Sequence, residues 1–356
     1  MNIISRYIAK HVISSTIIVL FVVMALSFII GMLHELRGVG EGDYGIFQVF
    51  IHEILMLPRS VYSFFPMLVL LGGVIGLGTL VSSNELMIIR SLGVSVKKIV
   101  ISVILASILL ISLATVLGEL VAPRSNFIAE KQKSIAQTVG QAMVTTSGIW
   151  VHEGNDFIHI NRVVGHNRFK GVTKYEFDQN HKMLATYFAD ALDFNKGHWY
   201  AYDLNKTILG KDKAISSHSD IVEWNLKITP NLLKVGFSDS DSMSLRKLYQ
   251  YSNYLAKNKL ESGAFKLAFW QRVFQPLTTL VMILLSIPFV FVAPRSVAMS
   301  KRILVAIILS FSFYLLNAFF GQFSIVYQYT PVLSALLPTT LFLLISVIWI
   351  WKNKVY

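Results

Sequence analysis

Histidine, lysine and arginine offer this sequence its widest scope for chemistry: nine histidines and 32 basic residues, with no cysteine. The histidines are not spaced as ligands. His152 and His159 are the best pair, but a turn separates them and no third ligand stands at a suitable spacing, so no metal site is expected. The lack of cysteine removes disulfides, thiol nucleophiles and zinc–thiolate sites. There is no H-E-x-x-H pair, no G-x-S-x-G nucleophile turn and no G-x-x-x-x-G-K-[ST] phosphate loop. No catalytic residue is therefore expected, and no ATP hydrolysis by that route.

Spacing says more in four other places. Ser82 and Glu85 stand three apart, as in a capping box, and Gly93 is placed to end a short helix in a left-handed conformation. A helix there would hold Leu86, Met87 and Ile89 outside the bilayer, either as a docking surface or dipping into lipid. Gly72 and Gly76 have the small-xxx-small spacing that lets another helix approach, within this chain or from a second subunit. Phe311, Phe313, Tyr314, Phe319 and Phe320 cluster in one apolar run, as packing or as a wall for acyl chains. Arg37, Arg59, Arg124, Lys131 and Lys133 could meet anionic phosphates or pair with Glu35, Glu119 or Glu130.

The elements that must position these residues follow from composition. Only 15% of residues are charged, against about 25% in soluble proteins, and the deficit is local. Residues 122–262 read as soluble protein; six other stretches are long and apolar enough to span a bilayer. These are Val12–Leu33, Ser60–Val81 with Pro58 and Pro66 at its start, Val96–Val121, Val273–Val292, Ile303–Val326 and Val332–Trp351. The first is too long for a signal-peptide core and has no small-residue cleavage site, so it is expected to stay as a helix. No ionisable residue lies centrally in any span, which argues against a proton relay.

The net charge is +12, but no basic block exceeds two residues, which excludes a nucleic-acid partner. The charge instead alternates between loops. Arg6, Lys10, Arg90, Lys97, Lys98, Arg295, Lys301, Arg302, Lys352 and Lys354 fall on one side, predicting both termini in the cytoplasm and residues 122–262 outside it. Within that insert, strand-like alternation is punctuated by turns at Gly154–Asn155, 178–181 and 195–197, predicting an all-β sandwich or jellyroll over about 145–245. Residues 236–242 read as a linker and Ser244–Ser262 as a helix returning to the membrane. The expected fold is thus an α-helical integral membrane protein, three spans on each side of a β domain.

Several short motifs, each weak alone, occur in a specific order. They are Arg6-Tyr7-Ile8, Phe65-Pro66-Met67 with the Gly72–Gly78 run, Asn84-Glu85-Leu86 and Gly93, Gly118-Glu119 with Val121-Ala122-Pro123, Gly148-Ile149-Trp150 with Asp156-Phe157-Ile158, Phe274-Gln275-Pro276-Leu277, and Arg295-Ser296-Val297. With them the whole chain resembles the LptF/LptG family of permeases, which extract lipopolysaccharide from the inner membrane of Gram-negative bacteria. Phe65-Pro66 and Gly148-Ile149-Trp150 are more similar to its LptG branch.

The resemblance implies an ABC-type exporter subunit working as a heterodimer with LptF. An LptB ATPase dimer would bind the ATP and Mg, leaving this chain without a cofactor. LptC and LptA would continue a bridge of periplasmic jellyrolls. It implies ATPase coupling through Glu85, Leu86, Ile89, Arg90 and Gly93. It implies lipid phosphate contacts at Arg37, Arg124, Lys131 and Lys133, and an acyl-chain cavity at Phe64, Phe311, Tyr314, Leu315 and Phe319. The sequence departs from the family at Gly31, where relatives often carry lysine, and at Glu130, where they carry a basic residue. Two rival readings stand beside this one: a membrane-anchored periplasmic lipid-binding or scaffold protein without ATP-coupled transport, and a lipid-modifying enzyme, for which no clustered nucleophile and base are found.

Overall fold

The computed structural model describes residues 3–352 except 138–142, 154–155, 165–167, 179–181, 196–197, 211–212, 225, 227–239, 241–242, 258–260 and 292–297. The turn at Gly154–Asn155, the motif at Arg295, Lys354 and most of the 236–242 linker lie outside the described residues.

Uninterrupted apolar runs become helices because a backbone without water must satisfy its polar groups internally. Among the described residues, six helices are long and apolar enough to cross a membrane. They are α1 (Ile3–Glu35), α2 (Ile46–Ser82), α4 (Val96–Val116) with its continuation, and, after the insert, α7 (Gly263–Phe291), α8 (Met299–Val326) and α9 (Pro331–Lys352). A short helix, α3 (Glu85–Ser91), joins α2 to α4.

Several helix boundaries differ from the sequence expectation: α1 begins at Ile3 rather than Val12, and α7 at Gly263 rather than Val273. α2 begins at Ile46 rather than near Ser60, so Pro58 and Pro66 lie inside it. A proline costs one backbone hydrogen bond, which a long helix packed on several sides can absorb. Beyond α4 the chain does not leave helical form at Val121. A π-helical turn (Leu117–Val121) passes directly into α5 (Ala122–Gln137).

The helix α2 lies at the centre of the bundle. Of its most apolar window 67% is buried, against 17% for α1 and for α8. Glycines allow this. A Cβ on Gly76 would come 2.9 Å from the His11 carbonyl oxygen of α1, and one on Gly72 would enter Thr16. The Gly72–Gly76 spacing therefore packs two helices of this chain against each other. On the other face Gly73 accommodates Ile283 and Ser286 of α7. Apolar clusters result around Val12, Leu77, Ile99 and Ile283, around Val74, Met282, Phe313 and Phe342, and around Val19, Met24 and Leu68.

The insert forms a six-stranded antiparallel sheet in sequence order: β1 (Met143–Glu153), β2 (Asp156–Val164), β3 (Arg168–Phe177), β4 (Met183–Asn195), β5 (His198–Leu209) and β6 (Ala214–Trp224). The predicted hairpins are present: Ile149 pairs with Ile160, Phe177 with Met183 and Asn195 with His198. The described strands form a meander without crossover, curled over Ile158, Phe169, Leu192, Trp199 and Trp224. A helix, α6 (Leu245–Lys257), leads back to α7.

Candidate functional site

The loop between α2 and α4 is built from local backbone chemistry. Asn84, with φ of 61°, turns the chain in the left-handed region that asparagine tolerates, and α3 starts at Glu85. Ser82 does not cap it. Its hydroxyl donates to the Gly78 carbonyl within α2 (2.9 Å), so the predicted capping box is absent. The helix ends as predicted. Gly93 has φ of 85°, its N–H donates to the Arg90 carbonyl (3.0 Å), and the Val94 N–H reaches Ile89 (3.4 Å). Those two bonds make a Schellman motif, in which glycine avoids the steric cost of the left-handed turn.

Which side chains α3 presents differs from expectation. Leu86 is 3% exposed and packs with Ile8, Leu80 and Ile99, and Ile89 is half-buried. Residues three apart share a helix face, so both turn toward the bundle. Met87, Ile88 and Leu92 are the exposed apolar residues, beside exposed Arg90. Leu86 is thus the anchor of this helix, and its outer surface is the Met87–Ile88–Leu92 edge.

Glu85 is tied to the first helix. The Tyr7 hydroxyl donates to Glu85 Oε2 at 2.6 Å. This bond, with a second from Ser83, holds the Glu85 carboxyl below its usual value. Tyr7 was missed as a site residue; its place in the Arg6-Tyr7-Ile8 motif was the only sequence signal.

On the bundle's flank α8 exposes Phe311, Tyr314, Leu315 and Phe319, while Phe313 turns inward against Phe342 at 5.2 Å between ring centroids. Phe64 of α2 lies 6.2 Å from Tyr314, centroid to centroid. The five predicted acyl-chain residues therefore lie on or beside one apolar wall. α1 likewise exposes Ile18, Phe21, Val22, Ile29 and Leu33. Two long, nearly unburied apolar faces, one joined to a short exposed helix through Tyr7, suit a subunit that moves against lipid or a partner.

A profile of the family described as "Lipopolysaccharide export system permease LptF/LptG" matches residues 6–352. The chain belongs to the LptF/LptG permease family. The lipopolysaccharide export system permease protein LptG of Escherichia coli K12 is 32% identical over 356 residues, covering 99% of each chain. Its namesake from Haemophilus influenzae is 31% identical over 355 residues, also covering 99% of each. Membership makes the chain a multi-pass transporter subunit rather than an enzyme.

Within this LptF/LptG permease the predicted phosphate contacts separate into two kinds. Arg37, Arg124 and Lys131 are exposed, and no ion pair holds them among the described residues. Lys133 instead bonds both oxygens of Glu35 at 2.8 Å, so a lipid phosphate would have to displace a carboxylate. Of the two alternatives the sequence left open for Lys133, phosphate or a nearby glutamate, the fold takes the pair with Glu35.

A second structural lock lies where α4 becomes α5. Arg272 of α7, 9% exposed, meets Glu119 at 3.1 Å and stacks 5.3 Å above the Tyr62 ring. The other Glu119 oxygen accepts the Leu245 N–H at 2.8 Å, capping α6. The neighbouring Gly118 leaves room for Tyr62, whose ring occupies the place of a Cβ. This explains the Gly118-Glu119 motif as a clamp between the π turn, α2, α6 and α7.

Proposed function

We propose that the chain is the membrane-spanning permease subunit of an ABC-type exporter. In this reading it takes lipopolysaccharide from the outer leaflet of the inner membrane, driven by ATP hydrolysis in a partner subunit. Both termini lie in the cytoplasm and the sheet domain in the periplasm, as the loop charges support. The LptF permease covers part of the exposed α1 and α8 faces, an LptB dimer receives the Met87–Ile88–Leu92 edge, and LptC and LptA continue from the sheet domain. ATP and Mg belong to LptB.

The observation that carries this reading is the bond from Tyr7 to Glu85. Closure of the ATPase dimer displaces α3, and the Glu85 carboxylate passes that displacement to the foot of α1. α1 then shifts relative to the wall of Phe64, Phe311, Tyr314, Leu315 and Phe319, narrowing the space for acyl chains. Arg37, Arg124 and Lys131 hold the phosphates at the outer surface. Removing acyl chains from the bilayer forfeits about 0.8 kcal/mol per methylene, so extraction needs both ATP and an apolar path.

The test is co-expression of the tagged chain with LptF and LptB, purification in detergent, and measurement of ATPase activity and lipopolysaccharide transfer to LptC and LptA. Glu85→Lys should assemble normally yet lose ATP-driven transfer. Normal transfer by that variant would remove the coupling role, and a chain that purifies without an ATPase would favour the scaffold reading.

A further inference from the structure

A buried histidine stands apart from everything assigned above. His52 of α2 is 3% exposed, and neither ring nitrogen has a hydrogen-bond partner. Buried polar atoms are nearly always satisfied, and here the ring has partners only at ion-pair distance. Carboxylates flank the ring on both sides. Nδ1 is 3.7 Å from Glu53 Oε1, and Nε2 is 3.7 Å from Glu130 Oε1. One ligand atom each from Glu35, His52 and Glu53 lies within 4.8 Å of the other two.

The surroundings hold this cluster in place. The Glu53 carboxylate occupies the space a Cβ on Gly31 would fill, so a larger residue at 31 would move it from its place beside His52. Lys133 bonds both Glu35 oxygens at 2.8 Å, and the Tyr44 hydroxyl donates to the same carboxylate at 3.3 Å. Outer-sphere donors of this kind fix the direction of a ligating carboxylate.

We propose that Glu35, His52 and Glu53 bind a divalent transition-metal ion of the zinc class. His52 Nδ1 is the nitrogen ligand, and Nε2–H points at Glu130. That is the carboxylate–histidine–metal arrangement by which proteins set the tautomer and raise the basicity of a ligating imidazole. Imidazole with carboxylates suits Zn2+ and its neighbours, whereas Mg2+ and Ca2+ take oxygen donors. Bonds of about 2.0–2.1 Å place tetrahedral ligands roughly 3.4 Å apart, so ligand atoms within 4.8 Å of one another close by at most about 1.4 Å, which glutamate torsions can supply. The ion would join α1 to α2 beside α5, on the same side of the bundle as the sheet domain.

The proposal is independent of the transport reading, and its test reads binding alone. The chain is purified with its partner subunits in detergent, stripped with chelator and titrated with Zn2+, and bound metal is counted. A parallel titration uses Co2+, whose absorption bands report nitrogen and oxygen coordination. Every titration is referred to the complex carrying His52→Gln, so metal held by other subunits cancels. One Zn2+ per chain is expected beyond that reference. Glu53→Gln and Gly31→Ala should each weaken it about tenfold or more, and Glu130→Gln about tenfold as a loss of ligand support. Should His52→Gln fail to assemble, Gly31→Ala and Glu53→Gln carry the comparison through their Co2+ spectra. The proposal is overturned by equal zinc content in parent and variants, by preference for Ca2+ or Mg2+ over Zn2+, or by a Co2+ spectrum unchanged in Glu53→Gln. Any of these would leave His52 as a charged partner of Glu53 and Glu130.

Discussion

The two ends of the helical bundle are fastened in opposite ways. At the end that leads to the sheet domain, Arg272 and Glu119 form a largely buried pair that also caps α6 and supports the π turn. Near it, Lys133 closes on Glu35 between α5 and α1. At the other end, α3 is held by one buried leucine, Leu86, and by a bond from Tyr7 to Glu85 at the surface. Buried charges resist separation because each would be left desolvated and unpaired. A surface hydrogen bond is exchanged easily with water. The bundle is therefore locked where the sheet attaches and compliant where a partner could push.

The sharpest way to break this contrast is to cut the lock. Arg272→Ala strands the Glu119 carboxylate and should cost about 3 kcal/mol, seen as a large fall in thermal midpoint in detergent. A midpoint within error of the parent would mean the clamp contributes no rigidity.

A somewhat smaller loss, about 2–3 kcal/mol, is expected for Leu86→Ala, which empties a buried site under α3. Its neighbour sharpens the comparison. Ile88→Ala should leave the thermal midpoint nearly unchanged while weakening retention of the ATPase subunit. The reverse ranking would show that the helix docks by the face assigned here to the core.

Gly76→Leu forces side-chain atoms against the His11 carbonyl and should cost about 1–3 kcal/mol by pushing α1 from α2. If stability were unchanged while binding of LptF fell, the glycine pair would be a subunit interface after all.

The smallest change in stability, with the larger change in function, is expected for Tyr7→Phe. It removes the hydroxyl at the compliant end and should lower transport per ATP without shifting the melt. The sign of its pH dependence is fixed. A lowered carboxyl pKa contributes fully above the ordinary carboxylate value and fades as pH falls through the lowered one. Coupling through this contact should therefore be flat across neutral pH; a neutral-range titration that Tyr7→Phe abolishes would contradict it.

What could be read from the chain was local. Apolar runs without charge gave the six spans, alternation and turn residues gave the hairpins at Ile149–Ile160 and Asn195–His198, and Gly93 marked the end of α3. Each is a property of consecutive residues, set by backbone hydrogen bonding and the period of side-chain direction.

Other features needed the assembled fold. Ser82 matched a capping pattern, yet α2 kept it as its own last residue. Leu86 and Met87 are equally apolar, and only the packing of α1 and α4 against α3 sends one inward and the other out. No spacing along one segment brings His52 together with the carboxylates around it. Glu35, His52 and Glu53 meet through the turn between α1 and α2, and Glu130 arrives from α5 far along the sequence. By itself the sequence determined which segments are helix, strand and turn, since those depend on neighbours in the chain. Which charges pair, which faces are buried and where carboxylates converge on an imidazole depend on distances across helices, and only the tertiary structure decided those.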